Sequence, residues 1–204
     1  MHISEGVLST PVLVSGAALA AAGTAIGLKH LDYERIPQVA VLTSAFFIAS
    51  LVHVPIGPAS VHLILNGLMG LLLGWAAFPA ILVALLLQAV LFQFGGLTTL
   101  GVNTMTMSLP AVICFFAFRS GIRSDRAALF LISAFMCGAG AVLMGSLLVA
   151  SALVFTGESF ASAAKIIIIA HLPVMAIEGV ITALCVKFLK KVKPEILGVL
   201  YDEK

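Results

Sequence analysis

Charge is what this chain has least of. Only 10 % of its 204 residues are charged and 61 % are hydrophobic, with a mean hydropathy of +1.19, whereas an ordinary soluble domain carries about 25 % charged residues. A water-soluble fold with a polar surface is excluded. A strong excess of positive charge is also missing: the net charge of +2 comes from scattered residues, and no basic stripe interleaves with aromatics, which removes nucleic acid from the partners. Cysteine is scarce. Cys114, Cys137 and Cys185 each stand alone in apolar sequence with neither a C-x-x-C spacing nor a disulfide framework, so they are expected to be small core residues. The sequence has no H-E-x-x-H, no G-x-S-x-G and no G-x-x-x-x-G-K-[ST], so no ATP hydrolysis is expected of this chain itself. No Lys or Arg precedes Lys29, so the opening MHISEG lacks the basic region of a signal peptide and is expected to be retained.

What the chain has in quantity is apolar runs. A membrane helix needs roughly 20 of them in a row, and the punctuation by Gly, Pro and charge predicts seven spans over 10–28, 38–54, 60–74, 76–94, 102–119, 128–155 and 164–190. The expected fold is a single all-α integral membrane domain over 1–204, with a segment 1–9 ahead of the helices and a short cytoplasmic tail over 190–204. The third run is short and flanked by PIGPAS, so it is expected to be tilted, broken or shielded by its neighbours, since non-helical backbone at membrane depth must be buried in protein or line a cavity. With seven spans and the N-terminus outside, ten of the eleven Lys and Arg fall on the inner side and only Lys165 falls outside. MHISEG and the Lys-rich KFLKKVKPE then lie on opposite faces, with MHISEG outside.

A free terminus followed by histidine has a specific chemistry. The Met1 α-amine, the His2 amide nitrogen and the His2 Nδ1 are three consecutive nitrogens that close a five-membered and a six-membered ring on one ion. Fused rings and a deprotonated amide hold the donors in one plane, which suits Ni(II) or Cu(II), with Co(II) also accommodated, better than tetrahedral Zn(II). The scheme requires removal of the formyl group and retention of Met1, and a bulky second residue protects the initiator methionine. A plain surface role for His2 is the competing reading.

Four further histidines could supply a fourth nitrogen. His30 lies among charges in KHLDYERIP and reads as a solvated or interfacial residue. His53 closes the second predicted span on the outer side, either as an anchor, as a stop for incoming metal, or as an alternative ligand. His62 opens the third predicted span on the same side; histidine near membrane depth is costly and marks function, which makes it the leading candidate. His171 stands seven residues before Glu178, two helical turns, so both share one helix face. That intramembrane pair is read as structural, as an aid to cation release, or as the working pair of a membrane-embedded hydrolase.

MHISEGVLS, SVHLILNGLMGLLLGWAAFP, QFGGLTTLGVNTMTM and AHLPVMAIEGVITA occur in order and together resemble the CbiM/NikM family, the substrate-binding membrane component of energy-coupling-factor (ECF) transporters for cobalt and nickel. The resemblance covers nearly the whole chain. It implies a seven-helix fold whose N-terminus threads into the bundle from outside, and a metal site of Met1, His2 and His62. It also implies partners: ATPase subunits, a transmembrane coupling subunit and a small accessory membrane protein in a bacterial or archaeal plasma membrane. AHLPVMAIEG and the KPEIL tail lean to Co(II), feeding cobalamin synthesis, while the planar chelate leans to Ni(II), and both ions stay open. The GGLTTLGVN loop is expected to cover the inserted N-terminus, with Thr98, Thr99 and Asn103 orienting the imidazoles. The small residues Gly16, Ala20 and Thr24 of the first span would serve either a coupling subunit or the chain's own helices.

Overall fold

The computed structural model describes residues 1–51 and 53–200; residues 201–204 of the expected tail, Lys204 among them, lie outside the described residues. Helices α1 (Thr10–Lys29) and α2 (Ile36–Ala49) lead to a hairpin of β1 (His53–Ile56) and β2 (Ala59–His62). Then come α3 (Asn66–Leu73), α4 (Ala77–Phe92), α5 (Leu100–Ile122), α6 (Ala127–Thr156) and α7 (Ala161–Val192). Pro11 and Pro37 sit in the first turns of α1 and α2, where a missing N–H costs nothing. Among the described residues, five segments are long and apolar enough to cross a membrane: α1, the run Asn66–Phe92, α5, α6 and the run Glu158–Val192.

Two of the seven predicted spans differ from the expectation. The run 38–54 yields only a 14-residue helix, and 60–74 yields a strand followed by an 8-residue helix, so the chain is not purely α-helical. The cause is local. Gly57, with φ +55°, and Pro58 form a two-residue loop between paired His53–Ile56 and Ala59–His62, and glycine at the first loop position gives the tight turn its handedness. Pro55 is tolerated because β1 is an edge strand.

The run Asn66–Phe92 does not continue straight. Asn66 donates to the Met107 carbonyl and Gly70 meets Ala111, so α3 runs parallel to α5. Phe78 meets Gly23, and Pro79 and the Trp75 carbonyl meet Gly27, so α4 runs antiparallel to α1. The chain reverses between them at Gly74, whose φ of +57° is one that side chains rarely adopt. The small face of α1, Gly16, Ala20, Gly23 and Gly27, is buried within the chain against α4 and α5. The bundle therefore has two ends. One carries the N-terminus, the hairpin and the loop 93–99. The other carries the α1–α2 loop, the α3–α4 reversal and the residues that follow α7.

Candidate metal centre

The first five residues run alongside β2 as an additional extended segment. Ser60 N–H donates to the His2 carbonyl at 3.1 Å, Ser4 N–H to the Pro58 carbonyl at 3.1 Å, and Ile3 bridges Ala59. The 93–99 loop closes from the other side: Glu5 N–H donates to the Gly95 carbonyl at 2.9 Å and Thr98 N–H to the Glu5 carboxylate at 3.3 Å. Ile3 N–H donates to Asn103 Oδ1 at 2.9 Å, while Asn103 Nδ2 and Thr99 Oγ1 both donate to the Ile3 carbonyl at 3.1 Å. Both main-chain groups of Ile3, the His2 carbonyl and the Ser4 and Glu5 N–H groups thus find partners in place of water.

This strap carries Met1 and His2 into the bundle, where Met1 and Ile3 are 0 % exposed, His2 4 % and His62 3 %. The Met1 side chain lies against Gly145 of α6, where a Cβ would collide with its terminal methyl. The Met1 amine donates to His62 Nε2, and the His2 and His62 rings are 4.6 Å apart between centroids.

The outer nitrogens of both rings are occupied. His2 Nε2–H donates to Gln88 Oε1 at 2.7 Å, and His62 Nδ1–H donates to the Leu63 carbonyl at 2.7 Å. Those bonds assign the tautomers and leave the ring lone pairs on His2 Nδ1 and on His62 Nε2, the latter facing the Met1 amine. Gln88 is itself held by the Phe47 carbonyl at 3.2 Å and by Ser50 Oγ. Burial, then the neighbouring terminal amine, pushes the His2 imidazole down to about 3, and the same causes hold His62 well below the usual range. Burial likewise holds the Met1 amine well below the usual α-amine range. Burial thus favours the unprotonated form of all three groups, the form in which an amine and imidazoles ligate.

The remaining sequence candidates take distinct places. His53 pairs with His62 in the hairpin register, so both project from the same face; it is half-buried, donates to the Leu51 carbonyl at 3.1 Å and meets the Phe94 ring edge-on at 4.1 Å. Thr99 and Asn103 grip the Ile3 backbone instead of an imidazole, and Thr98 contributes its backbone N–H. Sequence reasoning missed Gln88; a single amide inside LVALLLQAVLF was the signal. His171 and Glu178 share the buried face of α7 without bonding to each other. His171 Nδ1–H donates to the Ile167 carbonyl at 2.7 Å, and Glu178 Oε1 accepts from Ile64 N–H at 2.5 Å and Leu65 N–H at 2.9 Å. Glu178 thus ties α7 to the backbone just past His62. Among the described residues no three His, Cys, Asp or Glu side chains form a cluster that could hold a metal; what meets here is the Met1 amine with the His2 and His62 rings.

Residues 2–196 match the family described as the cobalt uptake substrate-specific transmembrane region, CbiM. A Haemophilus influenzae protein whose name assigns it to metal transport is 44 % identical, with 97 % of each chain covered. The Sorangium cellulosum cobalt transport protein CbiM is 33 % identical over 97 % of this chain and 94 % of its own. A Rhodobacter capsulatus fused nickel transport protein, NikMN, is 35 % identical over 53 % of this chain and 33 % of its own. A crystal structure of a truncated transition metal transporter superposes with a TM-score of 0.76 at 25 % identity, covering 94 % of this chain and 99 % of that one.

Proposed function

This chain belongs to the CbiM family of cobalt-uptake transmembrane proteins, and from that membership we propose that it is the substrate-capture subunit of an ATP-driven ECF-type importer for Co(II), with Ni(II) as the alternative substrate. The observation that carries the reading is the buried meeting of the Met1 amine with His62 Nε2 beside the His2 ring. In the fused chelate the amide lies between amine and imidazole, so the open corner of the plane is flanked by those two groups. His62 Nε2 occupies that position against the amine. The donor set is Met1 N, His2 N, His2 Nδ1 and His62 Nε2, with Gln88 and the Leu63 carbonyl fixing the rings, and His53 at the rim as a stop for incoming ions.

Residues 1–9 are the chelating segment of a single transmembrane domain, the N-terminus faces outside, and the tail is cytoplasmic. Uphill transport then draws on ATPase subunits, a transmembrane coupling subunit and a small accessory membrane protein in a bacterial or archaeal plasma membrane, with cobalamin synthesis as the use for cobalt. A membrane hydrolase built on His171 and Glu178 loses support, because the two are not bonded and Glu178 is engaged with backbone.

The test is calorimetry with Co(II) and Ni(II) on protein with its native start, beside a version with one residue added before Met1. The native form is expected to bind one ion and the extended form none, because the added residue turns the buried Met1 amine that meets His62 into an amide. Equal binding by both would sink the N-terminal chelate, and the tighter ion identifies the substrate.

A further inference from the structure

At the end of the bundle away from Met1, the α3–α4 reversal at Gly74 opens a cavity of about 330 Å³ between the ends of α1, α3 and α5. Its polar lining is Lys29, Arg35, Arg119 and Asp32, three cations against one carboxylate, and Trp75 forms an aromatic wall. Among the described residues none of the three cations makes an ion pair. Asp32 is occupied in accepting the Glu34 N–H at 3.1 Å. Arg35 is pinned to the wall by Nη2 donating to the Leu72 carbonyl at 2.8 Å and Nε to Gln38 Oε1 at 3.4 Å, which leaves Nη1 for a ligand. The Arg119 guanidinium lies 5.1 Å from the Phe116 ring centroid, a contact that holds the group without neutralising it.

Three cations gathered in a concavity with a single carboxylate leave an excess of positive charge that favours an anion, and planar guanidinium forks match phosphate oxygens. The volume lies within the ligand-pocket range of about 300–1,000 Å³. The cavity opens where helices end, and basic pockets between helix ends on the cytoplasmic side meet anionic head groups. We propose that this cavity binds a phosphate group, presented by the head group of an anionic phospholipid.

The site carries its own reporter, since Trp75 is the only tryptophan in the chain. The full-length protein in neutral detergent is titrated with short-chain phosphatidylglycerol, short-chain phosphatidylcholine and inorganic phosphate while Trp75 emission is followed; no metal is added, so the result is independent of the N-terminal site. Phosphatidylglycerol is expected to give a saturable change and phosphatidylcholine none. Lys29→Gln, at an exposed helix end, and Arg119→Gln are each expected to weaken half-saturation at least ten-fold, Arg119→Lys, which keeps the charge and loses the planar fork, to fall between Arg119→Gln and the parent, and the charge removal Lys165→Gln, at the opposite end of the bundle, to stay near the parent. Saturation by inorganic phosphate at the same concentrations would overturn the lipid as the source. No saturation, or saturation insensitive to both Lys29→Gln and Arg119→Gln, would overturn the site.

Discussion

Gln88 bears most directly on the N-terminal strap, because among the described residues it makes the one hydrogen bond to the His2 ring. Its amide oxygen fixes the tautomer, and its own amide is fixed by α2. Removing such a partner typically costs 10–100-fold in metal affinity. Gln88→Leu is expected to lose that much in calorimetry with Co(II) while retaining its thermal stability, and Gln88→Glu, which keeps an acceptor, to lose less. A parent-like affinity in Gln88→Leu would show that the ring is oriented by something else. Protonation gives a second prediction. His2 takes up a proton near 6.5 when withdrawn but only at about 3 when inserted, and the Met1 amine is shifted down in the same sense from 8.0. The withdrawn form therefore binds more protons, and insertion weakens as pH falls through 8.0 and then 6.5. Hydrogen exchange of the Ile3 and Glu5 amides, corrected for intrinsic rate, is expected to quicken from pH 8 to pH 5.5 in metal-free protein. Protection that is flat across this range would remove the argument.

Among the elements, α3 sits closest to the site and tolerates least change. It is 8 residues long, begins directly after Ile64 and Leu65, whose ties to Glu178 fix the chain, and touches other backbones directly. A Cβ on Gly67 would stand 2.6 Å from the Gly138 Cα, and one on Gly70 would strike the Ala111 carbonyl. Neither neighbour is a flexible side chain, so Gly67→Ala and Gly70→Ala are each expected to cost about 1–3 kcal/mol by overpacking, read as a lowered Tm together with weaker metal binding. An unchanged Tm in both would mean that α3 can slide. The sequence made the long helices legible: 10–28, 102–119, 128–155 and 164–190 fall within three residues of α1, α5, α6 and α7 at each end. Charge and Gly/Pro punctuation set those limits. HVPIGPASVH was not legible as a hairpin, because its strands are four residues long and as apolar as the helices beside them. Met1, His2 and His62, expected together from ligand chemistry and the family resemblance, do meet in the fold, whereas Gln88 was hidden because an isolated amide in an apolar run carries no spacing signal.

For the whole molecule, the direction of transport follows from which end of the bundle faces out. Ser9 N–H donates to Thr156 Oγ1 at 3.3 Å, which places the start of α1 beside the end of α6 and the 157–160 loop at the metal-facing end. Lys190 Nζ donates to the Ser124 carbonyl at 3.4 Å, which places the α5–α6 loop with the end of α7. Residues 124–126 and 157–160 therefore mark opposite ends, and the excess of Lys and Arg on the former argues that it is cytoplasmic. Cysteines introduced as Ser159→Cys and Asp125→Cys, both at exposed positions, test this in intact cells with a membrane-impermeant maleimide, in a background where Cys114 and Cys137 are buried and the half-buried Cys185 is replaced by Ser. Ser159→Cys is expected to be labelled and Asp125→Cys only after the membrane is opened. The reverse pattern would turn the Met1 amine toward the cytoplasm. A site that takes its ion from that side cannot capture substrate for import, so this single comparison bears on the direction of transport as well as on the topology.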